Sequence, residues 1–196
     1  MKRLLRPLFR QFHLPQGPLG HVVGWMLAAK GERAAPLVAA AALKPDERVL
    51  DVGCGPGMAV ALAAIEVGDG HVTGIDPSDV MVSQARRRTR RATNVTIERA
   101  SAEAIPLADD SVDVAWAINV LHHMANRDVG LAEIRRVLAP SGRLLIVEQH
   151  RHGRTGSALD DGSATELAAV LAAAGFAAPK ISPFDAAGES HTLLCS

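Results

Sequence analysis

Two cysteines among 196 residues, no surplus of either charge and no long apolar run exclude several kinds of protein at the outset. Cys54 and Cys195 have no metal-ligand spacing and are too few for a disulfide scaffold, so a reducing compartment, the cytoplasm, is the expected location. Lysine plus arginine and aspartate plus glutamate stand at 21 each, which leaves no global field of the kind that draws a chain to nucleic acid. The expected partner is a small molecule. No apolar run reaches membrane-spanning length, and the opening MKRLLRPLFRQFHLP has neither a continuous apolar stretch nor a small-residue cleavage site. Stable membrane insertion and export are therefore not expected. There are no internal repeats and no low-complexity tract beyond the alanines.

What is present is alternation. From Arg48 onward, apolar β-like runs alternate with helical patterns, the signature of an α/β fold in which helices cover both faces of a mostly parallel sheet. Strands are predicted near 48–52, 71–75, 95–99, 112–118 and 143–148, with weaker ones near 177–182 and 190–195. MAVALAAIEV, SDVMVSQARRRTRR, DVGLAEIRRVL and TELAAVLAAAGF have helical spacing; LAPSGR ends the third helix and Gly175 closes the last. At this length the chain fits one domain with a substantial core. Residues 1–44 stand outside the repeat and are read as an N-terminal helical lid or extension, with the domain proper at 45–196. In the lid, Leu4, Leu5, Leu8, Phe9 and Phe12 interleave with Lys2, Arg3, Arg6 and Arg10. That pattern suits either an acidic membrane surface or a short helix covering the core, and Pro7 and Pro15 limit any helix to about three turns. Trp25 and Met26, in HVVGWMLAA, suit closure over an apolar acceptor or padding of the sheet's helices.

Residues 49–57 read VLDVGCGPG. Val49, Leu50 and Val52 suit a buried parallel strand, and Gly53, Gly55 and Gly57 allow positive φ and close approach of a ligand to the backbone. Asp51 sits inside the apolar run, where a lone carboxylate is costly unless something pairs with it. In open parallel sheets ligands bind beyond the carboxyl ends of the strands, and the second such end, GIDPSD, carries Asp76, an acid suited to a ribose diol. A nucleoside ligand follows. The dinucleotide fingerprint G-x-G-x-x-G fails in both registers, at Met58 and at Val60, which disfavours a nicotinamide-dependent oxidoreductase. A pyrophosphate also prefers a helix N-terminus with no acid beside it. Asp51 instead suits a ligand with a positive group, an ammonium.

VLDVGCGPG, GIDPSDVMVSQAR, SAEAIPLADDSVDVAWAINVLHHM and EIRRVLAPSGRLLIVE, in this order and spacing over roughly 45–178, resemble the small class I S-adenosylmethionine-dependent methyltransferases. The likeness is to the branch that includes the ubiquinone and menaquinone biosynthesis methyltransferases. It implies a Rossmann-like seven-stranded sheet whose last strand is antiparallel and inserted between the fifth and sixth. Cys195 would then lie at the end of the sheet away from the glycine loop and could not bridge to Cys54. The resemblance implies S-adenosyl-L-methionine as cofactor, with Gly53 and Gly55 against its methionine part and Asp51 toward its amino group. Asp76 would hold the ribose hydroxyls, Pro77 and Met81 would line the adenine, Ser101 and Ala102 would reach the adenine edge, and Asn119 would lie beside the sulfonium. Ser101 stands where the family often has aspartate, so weaker adenine binding is expected.

The activity implied is in-line transfer of a methyl group to a small-molecule acceptor. INVLHH stands where an N-P-P-Y-like segment would mark methylation of an amide or adenine amino group. His122 and His123, after the fourth strand, suit either a base that takes a proton from a hydroxyl or amine nucleophile, or wall and packing roles. His150, His152, Arg151 and Arg154 read as a solvated basic rim, without the spacing of metal ligands, so no metal is expected. Cys54 reads as a small apolar filler, Asp109, Asp110 and Asp113 as a solvated turn, and Glu103 as solvent-facing. The alternative function is a cofactor-binding regulator or partner subunit of the same fold that transfers nothing.

Overall fold

The computed structural model describes Gly17 and residues 34–149, 161–177, 179–186 and 189–195. Most of the expected lid, with Trp25 and Met26, and the basic rim of His150, Arg151, His152 and Arg154 lie outside the described residues. In chain order the elements are α1 (Ala34–Ala40), β1 (Arg48–Val52), α2 (Met58–Glu66), β2 (His71–Asp76), α3 (Asp79–Thr89), β3 (Val95–Arg99), β4 (Val112–Ile118), α4 (Arg127–Val137), β5 (Leu138–Gln149), α5 (Asp161–Ala173), β6 (Lys180–Ala186) and β7 (Glu189–Cys195). They build a Rossmann-like α/β sheet of order β3-β2-β1-β4-β5-β7-β6. Strands β1 to β5 are parallel to one another, and β7 runs antiparallel to β5 and to β6. The order reverses between β1 and β4, which is where such sheets open a crevice for ligands.

Local signals set the helix starts. Ser78 caps α3 by accepting from the Met81 N–H at 3.4 Å, and Asn126 caps α4 by accepting from the Val129 N–H at 3.2 Å, each relieving a donor the helix leaves unpaired. Asp79 opens α3 and Arg86, Arg87 and Arg88 close it, matching the helix dipole at both ends.

One boundary differs from the sequence reading. LAPSGR does follow a helix end, at Val137, but β5 begins at Leu138, directly after α4, rather than near residue 143. Leu138 pairs with Val112 and Arg143 with Val114, so a step of five residues on β5 matches a step of two on β4. The excess bulges around Pro140, which has no N–H for the ladder, and Gly142, where a Cβ would stand 2.9 Å from Leu138 Cδ2. Cys195 is also relocated. Leu145 pairs with Cys195, Trp116 with Leu145 and Asp51 with Trp116, so Cys195 stands level with Asp51 and not at the far end of the sheet. The reason is that β7 runs along the carboxyl half of β5, from Gln149 back to Leu145. Three strand spacings, about 14 Å, still separate its backbone from β1.

Strand alternation divides the core in two. Val49, Val114, Trp116, Leu145 and Val147 face one layer with α1, α2 and α3. Leu50, Val52, Ala115, Ala117, Leu144 and Ile146 face the other with α4 and α5. Although α1 belongs to the segment read as a lid, Leu37, Val38 and Ala41 are buried in the first layer. Arg143 secures it from β5, donating to Ala41 O at 2.8 Å, to Ala42 O at 3.1 Å and to Glu47 Oε1 and Oε2 at 2.6 and 2.8 Å. Across the switch point Arg48 pairs bidentately with Asp113 at 2.8 and 2.9 Å, so Asp113 belongs to a strand-pinning ion pair and not to a solvated turn. Among the described residues no helix is long and apolar enough to cross a membrane.

The Arg143 guanidinium hydrogen-bonded to Glu47 outweighs burial and holds that carboxyl below the usual glutamate range. Arg143→Ala leaves the buried Glu47 carboxylate with the Lys44 N–H but no guanidinium, and is expected to cost roughly 3 kcal/mol in urea unfolding at pH 7. A depressed native value stabilises above the unfolded carboxyl range and stops doing so as pH falls through it, so the gap between wild type and variant should close below about pH 4. Equal stability at pH 7 would rule out this clamp.

Candidate active site

Asp51 is 2% exposed on the layer that holds Trp116 and the apolar side chains around it. Its sheet neighbours are Gly74 on β2 and Trp116 on β4. Among the described residues, nothing hydrogen-bonds to the buried Oδ2 of Asp51 or to the buried indole Nε1 of Trp116. Burial pushes the Asp51 carboxyl up to about 8; the nearby indole offsets this only in part, and the Asp76 charge adds to it. A site that buries an acid without a partner is poised for a cation.

The loop after β1 is held on three sides. Gly53 has φ +69, and a Cβ there would stand 2.5 Å from Val120 Cγ2. Gly57 has φ +80, and a Cβ would stand 2.9 Å from Ala85 Cα on α3. Arg88, one turn on in α3, donates from Nε to Pro56 O at 2.8 Å. Gly55 differs: at φ +52 a Cβ would meet nothing within 4 Å among the described residues. The loop is thus clamped at its ends and open at its middle. Cys54, between these glycines, is 7% exposed and its thiol is pushed up well above the usual range, chiefly by burial, which suits an inert filler.

Asp76 ends β2 and is 8% exposed. Its Oδ2 accepts from the Gly55 N–H at 3.0 Å and its Oδ1 from the Ser78 N–H at 2.8 Å. Burial raises this carboxyl while the two N–H groups oppose the rise. Each oxygen keeps a lone pair for a further donor. Pro77 is exposed beside it, and Met81 is buried in the first turn of α3. Ser101 and Ala102 follow β3, and Asn119 follows β4 with φ +54 and its N–H on Val147 O at 2.7 Å. All the residues read as cofactor-binding therefore stand at the carboxyl ends of β1 to β4.

Two acids were not singled out for this edge. Glu103, read as solvent-facing, accepts from the Ala125 and Asn126 N–H groups at 2.7 and 3.2 Å. Burial alone would raise it, but those donors and the Ser101 hydroxyl hold it below the usual range. Glu148, at the end of β5, is 4% exposed; its Oε1 accepts from the Leu121 N–H at 3.0 Å and its Oε2 lies 3.1 Å from His122 Nδ1. The one sequence signal for it was an acid closing the apolar run LLIV at a strand's carboxyl end. His122 and His123 occupy a 3-10 turn, Leu121–His123, with ring centroids 3.9 Å apart and planes tilted by 44°. Among the described residues no group of three metal-ligating side chains converges.

Comparison with known proteins bears on the same edge. Residues 50–146 match the family model described as a methyltransferase domain. An arsenite methyltransferase of Halobacterium salinarum is 35% identical over 164 residues, covering 76% of this chain and 42% of that protein. A ubiquinone/menaquinone biosynthesis C-methyltransferase, UbiE, of Vibrio campbellii is 38% identical over 109 residues, covering 54% of this chain and 42% of that protein. The chain spans 31% and 42% of the first two curated relatives it matches. A crystal structure of a methyltransferase from Aquifex aeolicus, dependent on S-adenosylmethionine, superposes with a TM-score of 0.69 at 23% identity, covering 84% of this chain and 90% of that one, a likeness of fold.

The buried acid has a thermodynamic signature in the ligand-free protein. A carboxyl raised from the ordinary aspartate range to about 8 weakens the fold progressively as pH rises between those values and adds nothing further above them. Asp51→Asn removes that slope. The variant should gain on wild type by at least ~2 kcal/mol between pH 4 and pH 8 in urea unfolding. Parallel stability curves for the two proteins would show that Asp51 is not strained in the free state.

Proposed function

The chain belongs to the class I S-adenosylmethionine-dependent methyltransferases, and from that premise we propose that it binds S-adenosyl-L-methionine at the carboxyl edge of β1 to β4 and transfers the methyl group to a small-molecule acceptor. The observation that carries this reading is the buried Asp51 Oδ2, which no described residue bonds, beside a glycine loop that the described residues leave open at Gly55. The residues fit the cofactor's parts. An ammonium supplies the counter-charge that Asp51 lacks, and a ribose diol supplies donors for the remaining lone pairs of Asp76. Pro77 and Met81 offer an apolar edge for a base, with Ser101 and Ala102 opposite, and Asn119 stands after β4 on the same side.

S-adenosylmethionine brings an already activated methyl group. The chain's part is to align the acceptor for in-line attack and to keep water out. The relatives support a small acceptor, since one is named for arsenite and another for a quinone. Residues 1–44 are proposed as cover for the acceptor and 45–196 as the cofactor domain, with α1 as the join, because its apolar side is already in the core.

Calorimetric titration tests the cofactor directly: S-adenosylmethionine should bind and NAD should not. Gly55→Val should weaken binding more than tenfold while costing the fold about 1–2 kcal/mol of φ strain, since no atom of the described residues stands within 4 Å of the new Cβ. Undiminished affinity in that variant would remove the loop from the site. A labelled-donor screen across hydroxyl, amine, thiol and carbon acceptors then tests transfer, and cofactor binding without any labelled product would favour the regulator reading.

A further inference from the structure

The His122–Glu148 contact joins β5 to the turn after β4. Glu148 is the last residue but one of β5, and His122 lies in that turn, 26 residues earlier. The carboxylate is 6% exposed at its side chain and the imidazole 26%. Oε1 is engaged by the Leu121 N–H, so Oε2 alone faces the ring. An acceptor oxygen at 3.1 Å from Nδ1 calls for the ring proton on Nδ1, which places the lone pair on Nε2. Among the described residues nothing hydrogen-bonds to Nε2. His122 also lines an open hollow of about 430 Å³ with Leu121, Met124, Arg127 and Val170 of α5.

We propose that Glu148 is a positioning residue that fixes the tautomer of His122, so that Nε2 takes the proton of a hydroxyl on the methyl acceptor. This rests on the methyltransferase reading and narrows its acceptor to the hydroxyl class. The hydroxyl oxygen forms the bond to the methyl carbon as the bond from that carbon to sulfur breaks, and the electron pair stays on sulfur. The hydroxyl proton passes to Nε2, and the Nδ1–H remains on Glu148, whose charge pairs with the imidazolium. A thiolate or an enolate carbon would need no such base at the moment of attack.

The first test needs no acceptor. Long-range proton–nitrogen NMR of the full chain, with His122 assigned by its loss in His122→Gln, reads which ring nitrogen carries the proton. Wild type should show the Nδ1–H form in large excess. In Glu148→Gln one oxygen becomes an amide NH₂ while the Leu121 N–H still needs an acceptor, so the NH₂ turns to His122 and the ring proton should move to Nε2. An Nε2–H form in wild type, or an unchanged spectrum in the variant, would overturn the proposal, and the wild-type spectrum decides even if the variant does not fold. The second test uses the acceptor that the labelled-donor screen yields. Glu148→Gln should lower kcat by roughly tenfold or more while KM and cofactor affinity stay within about twofold, with the new methyl on oxygen. A methyl found on nitrogen, carbon or sulfur would refute the hydroxyl assignment, whereas no product from any acceptor would count against methyl transfer itself and leave the tautomer result standing.

Discussion

The burial of one carboxyl oxygen that no described residue bonds governs this molecule. Asp51 sits level with Trp116 in a layer of valines, leucines and alanines, where, among the described residues, an ionised acid meets no counter-charge and a neutral one still leaves Oδ2 unbonded. Folding tolerates this because the rest of the layer is well buried: Val60, Ala63, Val72, Val114 and Trp116 are all fully excluded from solvent. The core on either side of Asp51 holds the acid in place, and the acid's unmet need defines what the crevice will take.

The neighbouring features serve that one arrangement. Val120 against Gly53 and Ala85 against Gly57 leave no room for side chains at the ends of the loop, and Asp76 draws in its middle through the Gly55 N–H. The open side of Gly55 therefore remains available while its neighbours are fixed. At the other rim Glu103 and Glu148 each collect backbone donors from the segment after β4, the first from Ala125 and Asn126 and the second from Leu121. A turn that would otherwise be free is tied to β5 and to the segment after β3, and the two histidines are carried on it.

Much of this was legible in the sequence because buried parallel strands are mostly apolar and punctuated by helices. The parity of VLDV, VDVAWAI and LLIVE anticipates the two core layers, and the alternate glycines anticipate a positive-φ loop at Gly53, Gly55 and Gly57. What stayed hidden depends on contacts distant in sequence. Arg143 reaching Ala41 spans 102 residues, and nothing in GRLLIVE announces it. Pro140 and Gly142 read as a break between elements, whereas the sheet absorbs them as a bulge. Trp116 looked like one more apolar residue of β4, yet its indole N–H is the other half of the unpaired site. Glu148 looked like a strand-end acid, and only the fold shows that it faces a histidine.

Proton counting on cofactor binding tests the central claim most directly. S-adenosylmethionine is titrated calorimetrically at pH 7 in buffers of low and high ionisation enthalpy, with wild type and with Asp51→Asn. A carboxyl near 8 is mostly protonated at that pH and must ionise to meet the ammonium, so wild type should release close to one proton per cofactor bound, and the variant none. Enthalpies that do not depend on the buffer in wild type, or equal proton release by both proteins, would contradict the account.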